Sequence, residues 1–287
     1  MFLLMATSCS KKEESVMPIM GTIQVDNTSF SLTSSASSNE DCNSIYVAVP
    51  FTQEFPYYIQ LRVTKKGDLI DASIVNGQAN YGLYTFHPLK YFTIKSFHYD
   101  ERKQTLDISF GGNLFNGKKS KAIQIEGELN SLAVKPYQCK SVWPYLKAQF
   151  GTSDHNLAYS SMSGQVYDKI SYKQFFYLNN GYRLVMTSTE PFMKLANSSI
   201  KIGADTSSKI SVLFEKYVVA DQDNVSQTYR RNEWQEVKVS GTIAFGEVVS
   251  IDNSQGIKGT LSLNAEEPGN SYQHLAGEFA ILEMTGQ

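Results

Sequence analysis

From Met20 onward the apolar residues recur with a period of two. Ile59, Leu61 and Val63 alternate with Gln60, Arg62 and Thr64. Leu106, Ile108 and Phe110 alternate with Asp107 and Ser109, and Ile123 and Ile125 flank Gln124. The habit returns at Val237-Lys238-Val239, Leu261-Ser262-Leu263 and Phe279-Ala280-Ile281. Successive side chains of a strand point to opposite faces, so this pattern makes strands that are buried on one face and wet on the other. Turn residues punctuate them at Lys66-Gly67-Asp68, Asn76-Gly77, Asn116-Gly117, Asn180-Gly181, Gln255-Gly256 and Pro268-Gly269. Helical signal is confined to a turn or two around Pro191 to Ala196 and around Pro144 to Gln149. The fold class expected is all-β, an antiparallel β-sandwich, arranged as two tandem sandwich-like units.

The two halves also end alike. Residues 126–129 read Glu-Gly-Glu-Leu and residues 276–279 read Ala-Gly-Glu-Phe, each after a strand and a polar loop. That similarity fits either a duplication or convergent hairpin composition. A boundary between Cys139 and Gly151 gives a first unit at 21–140 and a second at 141–287.

The chain opens Met1-Phe2-Leu3-Leu4-Met5-Ala6-Thr7-Ser8-Cys9-Ser10, an apolar run ending in small residues before a cysteine. This resembles a bacterial lipoprotein signal, in which Ala6, Thr7 and Ser8 fill the small-residue positions and Cys9 matches the lipidated residue. The stretch Ser10-Lys11-Lys12-Glu13-Glu14-Ser15 is similar to that of outer-membrane lipoproteins of the Bacteroidota, where a short charged run after the cysteine resembles a surface-export signal. The resemblance implies a signal peptide at 1–8, a lipidated tether at 9–20, and several acyl chains at Cys9 holding the protein to the outer membrane, exposed at the cell surface or facing the periplasm. It lacks the basic residues and full apolar run of a complete signal, so the expected leader is truncated. Ser10 rather than aspartate after the cysteine agrees with the outer membrane.

Cys42 and Cys139 remain after Cys9, and an even remainder in an exported protein reads as a candidate disulfide, with two separate thiols as the alternative. The charge balance, 26 basic against 28 acidic residues, gives no electrostatic footprint for nucleic acid. Gly112 to Lys119 has the glycines and first lysine of a phosphate-binding loop, but Lys119 stands where a hydroxyl is needed and a strand pattern follows. Four histidines, His87, His98, His155 and His274, lack metal-ligand spacing, although His98 and Asp100 share a strand face. Asp221-Gln222-Asp223-Asn224 resembles the start of a calcium loop but has Val225 at a ligand position. No cofactor or metal is expected.

Tyr and Phe are dense at 57–58, 81–92 and 172–182, where they serve sheet packing or a glycan-binding platform. Trp234 follows Tyr229-Arg230-Arg231-Asn232-Glu233, and an exposed tryptophan beside Arg230 and Arg231 makes a candidate recognition patch. The function expected is non-enzymatic: a lipid-anchored envelope protein that binds a protein or a glycan, or serves as a scaffold. The rival is a glycan-directed surface hydrolase, for which Glu126 with Glu128 or Glu266 with Glu267 supply carboxylate pairs.

Overall fold

The computed structural model describes residues 20–32, 36–41, 44–50, 57–76, 79–83, 88–116, 122–138, 144–150, 153–158, 163–167, 171–203, 209–218, 234–251, 254–267 and 271–282. Among them the chain is almost entirely strand, and no helix is long and apolar enough to cross a membrane.

The first ten strands are β1 (Met20–Val25), β2 (Thr28–Leu32), β3 (Ser37–Asp41), β4 (Ser44–Pro50), β5 (Tyr57–Thr64), β6 (Leu69–Asn76), β7 (Ala79–Gly82), β8 (Phe92–Asp100), β9 (Thr105–Asn116) and β10 (Ala122–Lys135). A single helical turn, α1 (Pro88–Tyr91), precedes β8. The strands pair in the order β2-β1-β10-β3-β4-β5-β6-β7-β9-β8, with β10 also against β9. Two long strands carry this topology. The early part of β10 pairs with β1 and its end runs parallel to β3, through Val134↔Ser38 and Lys135↔Asn39. Likewise β9 pairs with β8 along Thr105 to Gly112, then with β7 at Phe115 and Asn116.

Two five-stranded layers result, β2-β1-β10-β9-β8 and β3 to β7, sharing strands at both margins. Apolar side chains from both layers, among them Ile23, Ile45, Leu61, Phe110 and Leu129, fill one core and are almost wholly buried. This is the sandwich solution, in which each sheet hides its apolar face against the other. Gly112 sits where β9 changes partner, at φ +143°. A side chain there would overlap the Tyr91 carbonyl oxygen, so only glycine permits the turn between layers.

The remaining strands are β11 (Tyr145–Phe150), β12 (Ser153–Ala158), β13 (Ser163–Tyr167), β14 (Tyr172–Tyr177), β15 (Tyr182–Ser188), β16 (Ser199–Ile202), β17 (Ile210–Tyr217), β18 (Trp234–Ile251), β19 (Ser254–Glu267) and β20 (Ser271–Leu282). They pair in the order β12-β11-β20-β19-β18-β17-β15-β14-β13, and β16 also pairs with β18. Here β18 is the shared strand: Trp234 to Val237 pair with β17 and Gly241 to Ala244 with β16. Gly241, at φ +146°, makes the bend, and a Cβ there would overlap the Ser262 carbonyl oxygen.

The order of the second sheet repeats much of the first. An opening hairpin, β1–β2 or β11–β12, is joined to the last strand, β10 or β20, and then to the penultimate strand. Gly127 pairs with Ile23 and Phe110, and Gly277 pairs with Ala148 and Leu261, so the two similar sequence endings occupy matching places. The sheets change between Lys135 and Tyr145.

Two local expectations are corrected. Residues 145–150 form strand β11, not a helical turn, because Leu146, Ala148 and Phe150 alternate into the core. Gln255 and Gly256 lie inside β19, since Ser254, paired with Ile251, already opens the strand. The turn expected near Pro191 is present as a 3₁₀ turn over Phe192–Leu195, preceded by the proline.

Candidate functional site

Of the recognition patch expected at Trp234, Arg230 and Arg231, the described residues include Trp234, and it is not exposed. It opens β18 opposite Tyr217 and is only 7% accessible. The reason lies in strand parity. On β15 and β17, Leu184 and Phe214 pair and face the core, which turns Arg183 and its partner Glu215 to the other face. Arg183 donates from Nε to Glu215 Oε2, and both side chains are buried. Its guanidinium carbon lies 4.2 Å above the Trp234 ring, and the Tyr177 ring meets the tryptophan edge-on at 5.8 Å. Trp234 therefore supports a buried ion pair by cation–π contact, and the expected exposed recognition tryptophan is corrected to a packing role. Arg230 and Arg231 lie outside the described residues, as do Cys9, Cys42, Cys139 and Asp221 to Asn224.

The first sheet has a comparable row. Tyr46 pairs with Arg62, which pairs with Asp71, as Tyr177 pairs with Arg183 and Arg183 with Glu215. Burial, and then the hydrogen bond to Tyr58, push the Tyr46 hydroxyl up to about 12. Burial likewise raises Asp71, against the opposing pull of the Ala72 amide and Arg62. A third polar group spans the first sandwich: Glu40 on β3 accepts from the Tyr99 hydroxyl at 2.7 Å and pairs with Lys65 at 2.9 Å. Burial would raise the Glu40 carboxyl, but Lys65 and Tyr99 outweigh it and hold the carboxyl below the usual range. Arg183, Glu215 and Glu40 are buried, whereas Tyr46, Arg62, Asp71, Lys65 and Tyr99 are half-buried.

An open site lies at the fork of β18. Between its pairing with β17 and with β16, residues Lys238 to Ser240 have no strand partner on that edge among the described residues. The gap opens into a cleft of about 490 Å³. Its wall is built by cross-strand rows: Lys238, Glu266 and Tyr272 stand side by side on β18, β19 and β20, followed by Ser240, Asn264 and His274. All but His274 line the cleft, together with Glu236. His274 Nδ1 lies 3.3 Å from Asn264 Oδ1. Tyr272 is 70% accessible, an aromatic ring presented to solvent at the rim of a polar cleft. Two carboxylates, an ammonium, an amide and hydroxyls there can exchange hydrogen bonds with a polyhydroxylated ligand, while the ring offers an apolar face.

Of the carboxylate pairs nominated from sequence, Glu126 and Glu128 share the outer face of β10, where they line a smaller cleft of about 300 Å³. Glu126 is held by Lys95 at 3.1 Å, and Glu128 accepts from Asn130. Glu266 and Glu236, from different strands, line the fork cleft, and the side chain of Glu267 lies outside the described residues. The His98–Asp100 pairing is not made: Asp100 accepts from the backbone N–H groups of Arg102 and Lys103 and closes the β8–β9 turn. Those bonds hold its carboxyl below the usual range. Among the described residues, no three His, Cys, Asp or Glu side chains gather into a metal site.

No protein-family model, no curated protein and no solved structure matches the chain. Sequence reasoning missed the cleft because its lining comes from five separate strands, and Tyr272 had no local signal beyond a polar strand start.

Proposed function

We propose that the protein is a non-enzymatic, lipid-anchored cell-envelope protein of the Bacteroidota type, built from two repeated β-sandwich units, that binds a glycan in the cleft at the β18 fork. The exposed Tyr272 at the rim of that polar cleft carries the reading, since aromatic faces stack on sugar rings while flanking polar groups fix orientation. Anchoring rests on the leader sequence and Cys9, and the outer membrane is the expected location, with the sandwich units at the cell surface. The test is a glycan array with the full chain, followed by calorimetry on each hit. Tyr272→Ala should weaken binding at least tenfold without moving the melting temperature, because the ring is largely in solvent. Unchanged affinity in a folded variant would overturn the assignment of the cleft. Protease shaving of intact cells reports the location: loss of a C-terminal tag while a periplasmic control survives is the result expected.

One observation favours a second reading. Glu236 and Glu266 line the same cleft, and a pair of carboxylates is what a glycoside hydrolase works with. Release of reducing ends from a bound glycan, abolished in Glu236→Gln and Glu266→Gln, would replace the binding reading with the hydrolase.

A further inference from the structure

β8 and β18 occupy corresponding places, each pairing with the penultimate strand of its sheet. The pairing registers match them residue by residue. Ile94 lies opposite Phe110, the partner of Gly127, and Ile243 lies opposite Leu261, the partner of Gly277. Phe97 lies opposite Ile108, the partner of Leu129, and Phe245 lies opposite Gly259, the partner of Phe279. The sequences agree with this match. Thr242-Ile243-Ala244-Phe245 corresponds to Thr93-Ile94-Lys95-Ser96-Phe97, with one extra residue at the bulge between Ile94 and Ser96.

The far edges of the two strands differ. On β18 that edge is taken by β16, with Ile200 beside Ile243. Its sequence Ser-Ile-Lys-Ile alternates, and Ile200 and Ile202 join the core. Beneath it Ile243 and Phe245 are buried, at 0% and 3% accessibility. On β8, β9 is the sole strand partner among the described residues, and the matching Ile94 and Phe97 are only half-buried. Unpaired strand edges usually carry a guard, often a lysine. Here Lys95 does not cover the edge, because its ammonium lies across the sheet face over Gly111, bound to Glu126 at 3.1 Å.

We propose that the free edge of β8 accepts an extended segment of a partner protein, apolar at every second residue, in the place that β16 holds on β18. Main-chain hydrogen bonds would supply the affinity, and the alternate apolar side chains would complete the cover over Ile94 and Phe97. This site is separate from the cleft at the β18 fork and does not depend on what binds there.

The probe is a fluorescein-labelled peptide, Ser-Ile-Lys-Ile-Ser-Ile-Lys-Ile, titrated into the full chain and followed by fluorescence polarisation and amide hydrogen exchange. Saturable binding is expected, with exchange slowed at least tenfold in Thr93 to Tyr99. N-methylation of alternate peptide amides should abolish binding in one phase of the alternation and leave it in the other, the signature of pairing through one strand edge. No saturable binding, binding without protection of β8, or equal binding by both N-methylated peptides would each overturn the proposal. So would protection of β8 that grows with protein concentration in the absence of peptide, which would assign the edge to a second copy of the chain.

Discussion

At the scale of single residues, Arg183 shows how parity decides what composition cannot. The polar run from Tyr229 to Glu233 suggests an exposed loop around Trp234, yet the face that Trp234 shares with Arg183 and Glu215 is buried. Removing one member of a buried ion pair strands the other, at a cost of about 3–5 kcal/mol, whereas replacing both with apolar groups of similar volume is near neutral or stabilising. In urea unfolding, Arg183→Met and Glu215→Leu should therefore each destabilise strongly, and the double variant should recover most of the loss. Additive losses would show that the two groups act independently. Glu40 makes a pH-dependent contribution. Its carboxyl is held below its ordinary value in the fold, so its stabilisation is fully present above about pH 4–5 and is lost as the pH falls through the folded pKa. The melting temperature should drop more steeply on acidification in the parent than in Glu40→Gln, and parallel curves would rule out Glu40 as the source.

At the scale of elements, the alternating runs could be read directly, because a half-buried strand writes its environment into every second residue. β10 is the clearest case, with burial alternating along Ala122 to Leu129 as its sequence predicts. The misreadings have physical causes. Pro144 imitates a helix start, but a proline is equally at home before a strand, and pairing with β12 and the distant β20 makes 145–150 a strand. Gly256 looks like a turn residue but is buried in β19 against Val249. The long strands that change partners were not legible at all, since a change of partner is set by what lies alongside, not by the strand's own pattern. Their glycine bends are testable. Gly241→Ala imposes both an unfavourable φ and an overlap with the Ser262 carbonyl, so a loss of about 2–4 kcal/mol is expected in denaturant unfolding. Gly82→Ala, where no heavy atom lies near the added methyl, should change stability far less and serves as the control.

At the scale of the whole molecule, the all-β class and its two successive strand sets follow from the period and the turn chemistry, while the cleft at the β18 fork exists only once five strands have assembled. The parallel contact between β3 and β10 bears on the two cysteines. Asn39 and Lys135 are partners on these strands, and Cys42 and Cys139, outside the described residues, follow them in sequence by three and four residues. A disulfide between them would close a loop worth roughly 4–5 kcal/mol in the chain-entropy model. Thermal melting with and without reductant should show a clear fall in the midpoint on reduction; an unchanged midpoint would favour two separate thiols.

The opening hairpin of each sheet pairs with the strand made last, β1 with β10 and β11 with β20. Neither layered core can therefore close before its own last strand has been made. Local hairpins such as β4–β5 can form early, but completing either layered core waits for a strand about a hundred or more residues downstream, a topology that folds slowly. The first core, closed by β10, can thus be complete while β11 to β20 are still being made, so the two halves acquire their cores in turn.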